Sequence, residues 1–472
     1  MPRASCGDLA SILQLTSAAF DNPRLRFVTL AVVVALTSGA VLFSRLGVTE
    51  FHGDESGWIT SGRYYTDLVS EGNFQWDDWE CPKCNAWGSI NMQLGKLLIG
   101  IPVALDPQAS GQAFSSYYDF GASLDENTRQ GRVPPRETLI RARSASAVFG
   151  VLCCVVVFAI GTCAYNTFVG VVAVALLLLN PAFVKCATRA MADIHYSFFL
   201  VALCLAVIVF VQTAGRRQAL AASALCGILA GLACSVKVTG IVVGGGLFVV
   251  ALTVQRLWFV RRPTREMLFL LGAFGLSASI VVYGLNPYFW PSASALADPA
   301  AAQELKTWMS ESSATGSAPE PFATRYPHLG TITHVLEFPR MFGRWQGFMS
   351  WDIVQRRANW KGGDPVVTIT QRLFREVMFP GEVLLLVFGM VFVARSSRLE
   401  PPGIADQARL VTLEWFLINY LFILAFMELN WERYYLPTAV AAVPLAAAGV
   451  YGIGTWLYRR SIGSDRQSSS SS

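Results

Sequence analysis

The sequence predicts an all-α, polytopic membrane protein with about ten transmembrane helices and two large non-cytoplasmic loops. Of its 472 residues, 53% are hydrophobic and only 15% are charged, whereas a soluble domain carries about 25% charged residues. The apolar residues are gathered in runs of the ~20 residues that a helix needs to cross a bilayer. Lys and Arg recur in alternate connections between these runs, as the positive-inside rule requires.

Ten apolar runs are the predicted spans, and each must be helical because backbone polar groups find no partner in lipid. They lie at approximately 27–47, 144–162, 166–184, 194–213, 218–236, 238–256, 267–286, 378–396, 410–428 and 434–457. The first run starts too late and is too long for a cleavable signal peptide, so we expect it to remain as an anchor.

The positive charges of the connections place the N-terminus in the cytoplasm. The cytoplasmic side then carries Arg24, Arg26, Arg216, Arg217, Arg256, Arg261, Arg262, Arg265, Arg395, Arg398, Arg409, Arg459, Arg460 and Arg466. We therefore expect the chain to be divided as follows: a cytoplasmic segment at 1–26, a transmembrane core at 27–286 containing a first outer loop at 48–143, a second outer loop at 287–377, helices at 378–457 and a disordered cytoplasmic tail at 458–472.

Asp54 and Glu55 follow the first predicted span directly. Carboxylates at a membrane boundary are costly unless they face water or a substrate. The short outer connections carry Arg189, Lys237 and Arg433, on the same predicted side. Arg and Lys bind phosphate, and a carboxylate can take a hydroxyl proton, so the pattern predicts a site for an anionic substrate. Two simpler interpretations stay open: a solvated acidic pair and cations that reach the headgroups.

Three further features have more than one interpretation. Asp193 lies four residues after Arg189, so a helix places both on one face, as an ion pair or as part of a substrate site. Cys81 and Cys84 predict a disulfide, two thiols or half of a zinc site. No basic cluster interleaved with aromatic residues indicates nucleic acid as a partner.

Six strings of the chain together form a recognisable pattern: Gly53-Asp54-Glu55, Gln93-Leu-Gly-Lys96, Arg141-Ala-Arg143, Asn180-Pro181 through Arg189 and Asp193, Gly227 through Lys237, and Arg433-Tyr434-Tyr435-Leu-Pro437. Their order and sidedness resemble the C-type integral-membrane glycosyltransferases that use polyprenyl-phosphate sugars, in the protein O-mannosyltransferase and aminoarabinose-transferase branch. One departure is Asn91-Met92-Gln93, where that family has His-Pro-Pro before Leu-Gly-Lys.

The resemblance implies inverting transfer of a mannose-like hexose from a polyprenyl-phosphate donor to an acceptor hydroxyl on protein, lipid or glycan. In such an enzyme Asp54 is the general base and Glu55 assists it. The implied donor-phosphate residues are Lys237, Arg433, Arg189 and Arg143, and the implied structural or substrate-positioning residues are Asp193, Tyr434 and His52.

The resemblance also implies a multi-pass protein whose active site is non-cytoplasmic, in the plasma membrane of a prokaryote or the endoplasmic reticulum of a eukaryote. It leaves a divalent metal open, because some members of the superfamily use one. The alternatives are a lipid flippase or transporter, and a catalytically inactive accessory member.

Overall fold

The computed structural model describes residues 22–74, 79, 92–105, 117–259, 262–287, 373, 377–378, 380–396, 403–426 and 432–469. Within these ranges every regular element is a helix, so the predicted all-α class is confirmed. Cys81, Cys84 and almost all of the predicted second loop lie outside the described residues.

Fourteen α-helices are assigned in the described part of the chain. They are α1 Pro23–Phe43, α2 Gly53–Ser70, α3 Gln93–Ala104, α4 Leu124–Arg129, α5 Arg136–Ala164, α6 Thr167–Leu179, α7 Pro181–Ala187, α8 Asp193–Gln212, α9 Arg216–Val236, α10 Thr239–Val254, α11 Thr264–Leu285, α12 Pro380–Ser396, α13 Ile404–Phe426 and α14 Leu436–Ser469. A π-helical turn, Gln255–Phe259, continues α10, and a 3₁₀ turn, Glu432–Tyr435, precedes α14.

All ten predicted spans coincide with helices. Among the described residues, eight helices are long and apolar enough to cross a membrane, and the bent pair α6–α7 makes a ninth. The remaining predicted span, 378–396, is α12, which has 17 residues. Helix α5 begins at Arg136, eight residues before its predicted span, because its first two turns are polar enough to extend beyond the hydrocarbon.

The third predicted span, 166–184, is broken: α6 and α7 meet at 76°. Asn180 and Pro181 cause the break. Pro181 occupies the first turn of α7, where its missing N–H costs nothing, and the Asn180 side chain accepts a hydrogen bond from the Phe183 N–H at 3.1 Å. The Asn180 amide also donates to the carbonyl of Val377 at 2.9 Å, so the bend is fixed to a distant segment.

Helix α8 is the centre of the bundle and packs against α5, α9, α10 and α13. In its apolar part, 78% of the residues are buried. A helix that is apolar all round and surrounded by other helices has no lipid-facing stripe. The two polar residues at its start, Asp193 and His195, are therefore held inside the protein.

The first loop contains a packed helical pair, α2 and α3. The two helices touch backbone to backbone at Gly62 and Gly100: a Cβ on Gly62 would lie 2.6 Å from the Lys96 carbonyl oxygen, and one on Gly100 would overlap the Gly62 carbonyl. Small residues permit this close crossing, as they do between transmembrane helices. The crossing fixes α2, whose first turn carries Asp54 and Glu55.

Candidate active site

Four charged side chains from four separate segments meet at one end of the bundle. We call Asp54, Arg433, Asp193 and Lys237 the ion cluster. Asp54 lies in the first turn of α2 and Asp193 in the first turn of α8. Lys237 joins α9 to α10, and Arg433 lies in the 3₁₀ turn before α14. The structure therefore brings together residues that the sequence separates by up to 379 positions.

In the ion cluster each carboxylate is bound to one cation. The Arg433 guanidinium donates to Asp54 Oδ2, and the Lys237 ammonium lies 2.5 Å from Asp193 Oδ1. Both carboxylates act electrostatically on Arg433, so the two pairs form one unit. The carboxylate side chains are only 7% and 4% exposed, whereas those of Arg433 and Lys237 are 15% and 16% exposed. An anion that approaches the cluster therefore meets the cations first.

The Tyr434 ring lies between the two cations of the cluster. Lys237 Nζ is 5.1 Å from its centroid, and the Arg433 guanidinium carbon is 5.4 Å from it. On its other side Lys237 lies 5.8 Å from the Tyr196 ring, whose hydroxyl accepts from Thr239 at 3.0 Å. Such ring faces attract cations, so Tyr434 and Tyr196 hold the ammonium and guanidinium in place.

His52 caps α2 beside Asp54. The ring Nδ1 accepts a hydrogen bond from the Asp54 backbone N–H at 3.2 Å, and the His52 backbone N–H donates to Glu55 Oε2 at 3.0 Å. This pair of bonds is a reciprocal capping box. Burial lowers the pKa of His52 below its ordinary 6.5, although the Asp54 carboxylate opposes the shift. A neutral ring keeps Nδ1 as an acceptor, so the cap requires the unprotonated form.

Glu55 faces away from the ion cluster and binds Arg143 of α5. Two hydrogen bonds of 2.8 Å join the guanidinium to both carboxylate oxygens, and the side chains are 2% and 0% exposed. Glu55 Oε1 also accepts from the Ala190 N–H at 2.8 Å. This buried carboxylate therefore ties α2 to α5 and to the turn that leads into Asp193.

Every N–H of Arg143 has a protein acceptor. Besides Glu55, the guanidinium donates to the carbonyls of Leu46 and Thr49 at 2.8 Å and of Glu50 at 3.4 Å. An arginine has five N–H donors, and these contacts use all of them. Arg143 and Glu55 are thus enclosed by each other and by backbone groups. Donor-phosphate binding by Arg143 and assistance of the base by Glu55 stay predictions.

Arg189 lies beside the cluster at its His52 edge. Its Nε donates to the Glu50 carbonyl at 3.3 Å, and its terminal nitrogen lies 3.9 Å from the exposed Glu50 carboxylate. Its charge also acts on His52. Arg189 therefore adds a positive charge near Asp54 without pairing to it.

Lys96, in the Leu-Gly-Lys string that resembles the family, is a buried lysine that is not among the predicted site residues. Its side chain is fully buried in α3, 3.5 Å from the Gln93 amide oxygen and 5.0 Å from the Tyr65 ring centroid. Burial lowers its pKa to about 7. A Cβ on the adjacent Gly95 would touch Ala192 and Val236, so α3 packs directly behind Asp193 and Lys237. The sequence feature that could have identified Lys96 is a lysine inside an otherwise apolar helix.

The open question of a divalent metal receives no support from the donor set. In the described part of the chain no three His, Cys, Asp or Glu side chains are grouped to hold a metal ion. Asp54 and Asp193 are each engaged by a cation. Two carboxylates that are each paired with a cation do not fit a metal site.

Residues 113–284 match the model of the dolichyl-phosphate-mannose-protein mannosyltransferase family. The match includes Arg143, Arg189, Asp193 and Lys237, and it covers a little over a third of the chain. No curated protein matches the sequence.

Two solved structures share the fold over most of this chain. ArnT from Cupriavidus metallidurans, bound to undecaprenyl phosphate, is 15% identical with a TM-score of 0.52, over 92% of this chain and 63% of that one. The archaeal oligosaccharyltransferase AglB from Archaeoglobus fulgidus, in complex with an inhibitory peptide and a dolichol-phosphate, is 14% identical with a TM-score of 0.52, over 94% and 52%. The chain thus spans 63% and 52% of their lengths. The predicted resemblance to the C-type membrane glycosyltransferases is confirmed, in sequence over residues 113–284 and in fold over most of the chain.

Proposed function

We propose that this protein is a membrane glycosyltransferase that moves a mannose-like hexose from a polyprenyl-phosphate donor to an acceptor hydroxyl, on the non-cytoplasmic face. One observation carries the proposal: two buried carboxylates and two partly exposed cations, from four segments of the chain, form a single cluster. The family match and the shared fold with ArnT and AglB support the same class of reaction.

In the proposed reaction the acceptor oxygen attacks the anomeric carbon as the bond from that carbon to the phosphate oxygen breaks. The acceptor proton passes to Asp54, and the electron pair of the broken bond leaves with the polyprenyl phosphate. The anomeric configuration is inverted, because one displacement occurs. Charge develops on the departing phosphate, and cations fixed in advance at that position stabilise it most effectively. Arg433, Lys237 and Arg189 have this role.

Arg433 has two functions in this scheme. Before the donor binds, its guanidinium neutralises Asp54 and makes the burial of that carboxylate tolerable. A donor phosphate competes for the same guanidinium, since Arg binds phosphate as readily as carboxylate. Withdrawal of Arg433 towards the phosphate leaves Asp54 more basic at the time when the acceptor needs a base.

The test is transfer of radiolabelled mannose from polyprenyl-phosphate-mannose in proteoliposomes, comparing the wild type with Asp54→Asn. The amide keeps the size and hydrogen-bonding capacity of the side chain but cannot take a proton at neutral pH. Because a general base contributes about 10²–10⁴-fold to a rate, we expect label incorporation to fall by about that factor while the protein remains folded.

Asp67→Asn is the matched control. Asp67 lies on the same helix as Asp54 and also pairs with an arginine, at 3.7 Å between its Oδ2 and Arg63 Nε, but its side chain is 50% exposed. It should transfer label at the wild-type rate. Equal incorporation by Asp54→Asn would exclude Asp54 as the base. Absence of incorporation in all three proteins would overturn the mannose donor.

A further inference from the structure

A second polar cluster lies at the other end of α8, between α8, α10 and α13. It surrounds a cavity of about 10 Å³ lined by Val211, Ala251, Gln255, Gln407 and Glu414, among others. That volume holds about one water molecule. Val211 lies 18 residues after Asp193, which at 1.5 Å per residue is about 27 Å along the helix. The cavity is therefore separate from the ion cluster.

Three oxygen atoms at this cavity lack a hydrogen-bond partner among the described residues: Gln255 Oε1, Gln407 Oε1 and Glu414 Oε2. Gln255 is only 2% exposed, and its Nε2 donates to the Val211 carbonyl at 2.9 Å. That bond fixes the amide, so its oxygen is the unpaired end. A buried acceptor without a donor is costly, and three at one cavity indicate a ligand.

The backbone is also unusual at this point. Gln255 begins the π-helical turn Gln255–Phe259, and such turns are rare and occur frequently at functional sites. The turn places Gln255 and Phe259 on the same cavity. The π-helical turn and the unpaired acceptor oxygens therefore lie at the same cavity.

The described arginines in the segments next to Glu414 have other partners, including Arg256 of the π-helical turn, which donates to Met267 and Thr264. On α13 itself, Arg409 binds Asp406 at 2.9 Å. Towards α11, Arg262 binds Glu266 and also donates to the Thr213 carbonyl at 3.1 Å. From α8, Cys204 lies within electrostatic range of Glu414. No ion pair to Glu414 occurs within the described ranges, and an uncompensated carboxylate inside a helix bundle is expensive.

We propose that Glu414, Gln255 and Gln407 form a site that binds one proton and one water molecule. The protonated Glu414 donates to the water, and the two water hydrogens are donated to the oxygens of Gln255 and Gln407. This arrangement satisfies all the unpaired atoms and removes the buried charge. Ca²⁺ or Mg²⁺ fits less well, because three oxygens in so small a space fall short of the six or more ligands that these ions take.

The site links α10 to α13 next to the end of α8. Helix α8 begins at Asp193, and α10 begins two residues after Lys237. The proton and the water therefore hold α8, α10 and α13 together at one end of the bundle. At the other end, α8 and α10 begin at or beside the Asp193–Lys237 ion pair of the cluster. This proposal stands without the proposed transferase activity, since it rests on different residues.

Infrared spectroscopy of the full-length protein in lipid nanodiscs at neutral pH tests the proton. The wild type should show the carbonyl band of a protonated carboxylic acid, and Glu414→Gln should lose it. Glu71→Gln, at an exposed position, should leave the band unchanged, because a solvated glutamate is ionised. A difference spectrum between wild type and Glu414→Gln without this band would overturn the proposal.

Two measurements cover the water and the rival cation. Gln255→Met keeps the length of the side chain but removes the acceptor, so the carboxylic acid band should shift in frequency; an unshifted band would refute the water bridge.

Thermal unfolding in NaCl and in choline chloride should give the same midpoint. A sodium-dependent rise in the wild type would replace the proton with a cation. The Gln255→Met spectrum keeps the test valid if Glu414→Gln does not fold.

Discussion

Asp54 and Glu55 are neighbours in the sequence but have different surroundings, because successive residues of a helix point about 100° apart. Asp54 binds Arg433, which is partly exposed, whereas Glu55 is enclosed by Arg143 and two backbone N–H groups. In the proposed reaction the first carboxylate takes the acceptor proton, and the second supports the helix that carries it. Substitution of Asp54 should therefore reduce mainly the transfer activity, and substitution of Glu55 mainly the stability of the fold.

Glu55→Gln should destabilise the protein strongly, because it leaves the Arg143 charge buried with only carbonyl partners. Breaking a buried ion pair on one side costs about 3–5 kcal/mol. Asp54→Asn should cost less, since Arg433 is more exposed and keeps Asp193 nearby. Thermal unfolding in detergent measures both variants. A Glu55→Gln protein as stable as Asp54→Asn would contradict the supporting role.

His52 links stability to pH. Its folded pKa lies below the ordinary 6.5 because of burial. As pH falls below 6.5, the unfolded chain takes up a proton that the folded protein resists, so stability falls with decreasing pH. The cap is lost on protonation, because Nδ1 becomes a donor. His52→Asn keeps a good cap but does not titrate, so its unfolding midpoint should decline less between pH 7 and 5. If the unfolding midpoints of the wild type and of His52→Asn declined equally with pH, His52 would not be the source of the pH dependence.

At the scale of elements, the close contact between α2 and α3 decides where the first turn of α2 lies. The contact depends on the absence of side-chain atoms at Gly62 and Gly100, whose backbones are in direct contact. Helix α3 in turn packs against α5 and α9. The position of Asp54 therefore depends on a helix crossing some two turns away.

Gly100→Ala should push α2 from α3, because its Cβ would overlap the Gly62 carbonyl. We expect a loss of about 1–3 kcal/mol of stability, typical of overpacking, together with reduced transfer activity. Gly272→Ala is the control: a Cβ there meets no atom within 4 Å, and alanine favours a helix by about 1 kcal/mol over glycine. Equal unfolding midpoints for the two variants would show that the crossing tolerates a methyl group.

At the scale of the whole molecule, α8 connects two polar sites that lie near its ends. The ion cluster surrounds its first residue, Asp193, and the proposed proton site lies beside Val211. Between them the helix is apolar and enclosed by α5, α9, α10 and α13. Packing of this density resists sliding of one helix along another.

The sequence by itself determined the helical class, the spans and the identity of most cluster residues. Apolar length and the lack of water in a bilayer leave only helices, and charges that are costly in lipid stand out against that background. Asp54, Asp193, Lys237 and Arg433 were all selected on this basis. The Asn180-Pro181 break was not predicted, although its chemistry was present, because the apolar run continues across it.

Only the tertiary structure decided which charges pair with which. Glu55 and Arg143 form a buried ion pair with each other, and Lys96 is buried behind the cluster. Pairing depends on distances between residues far apart in the chain, such as the 88 positions from Glu55 to Arg143. Hydrophobic periodicity reports which face of a helix is buried, whereas helix crossings set which buried groups meet, and those crossings follow from packing over the whole bundle.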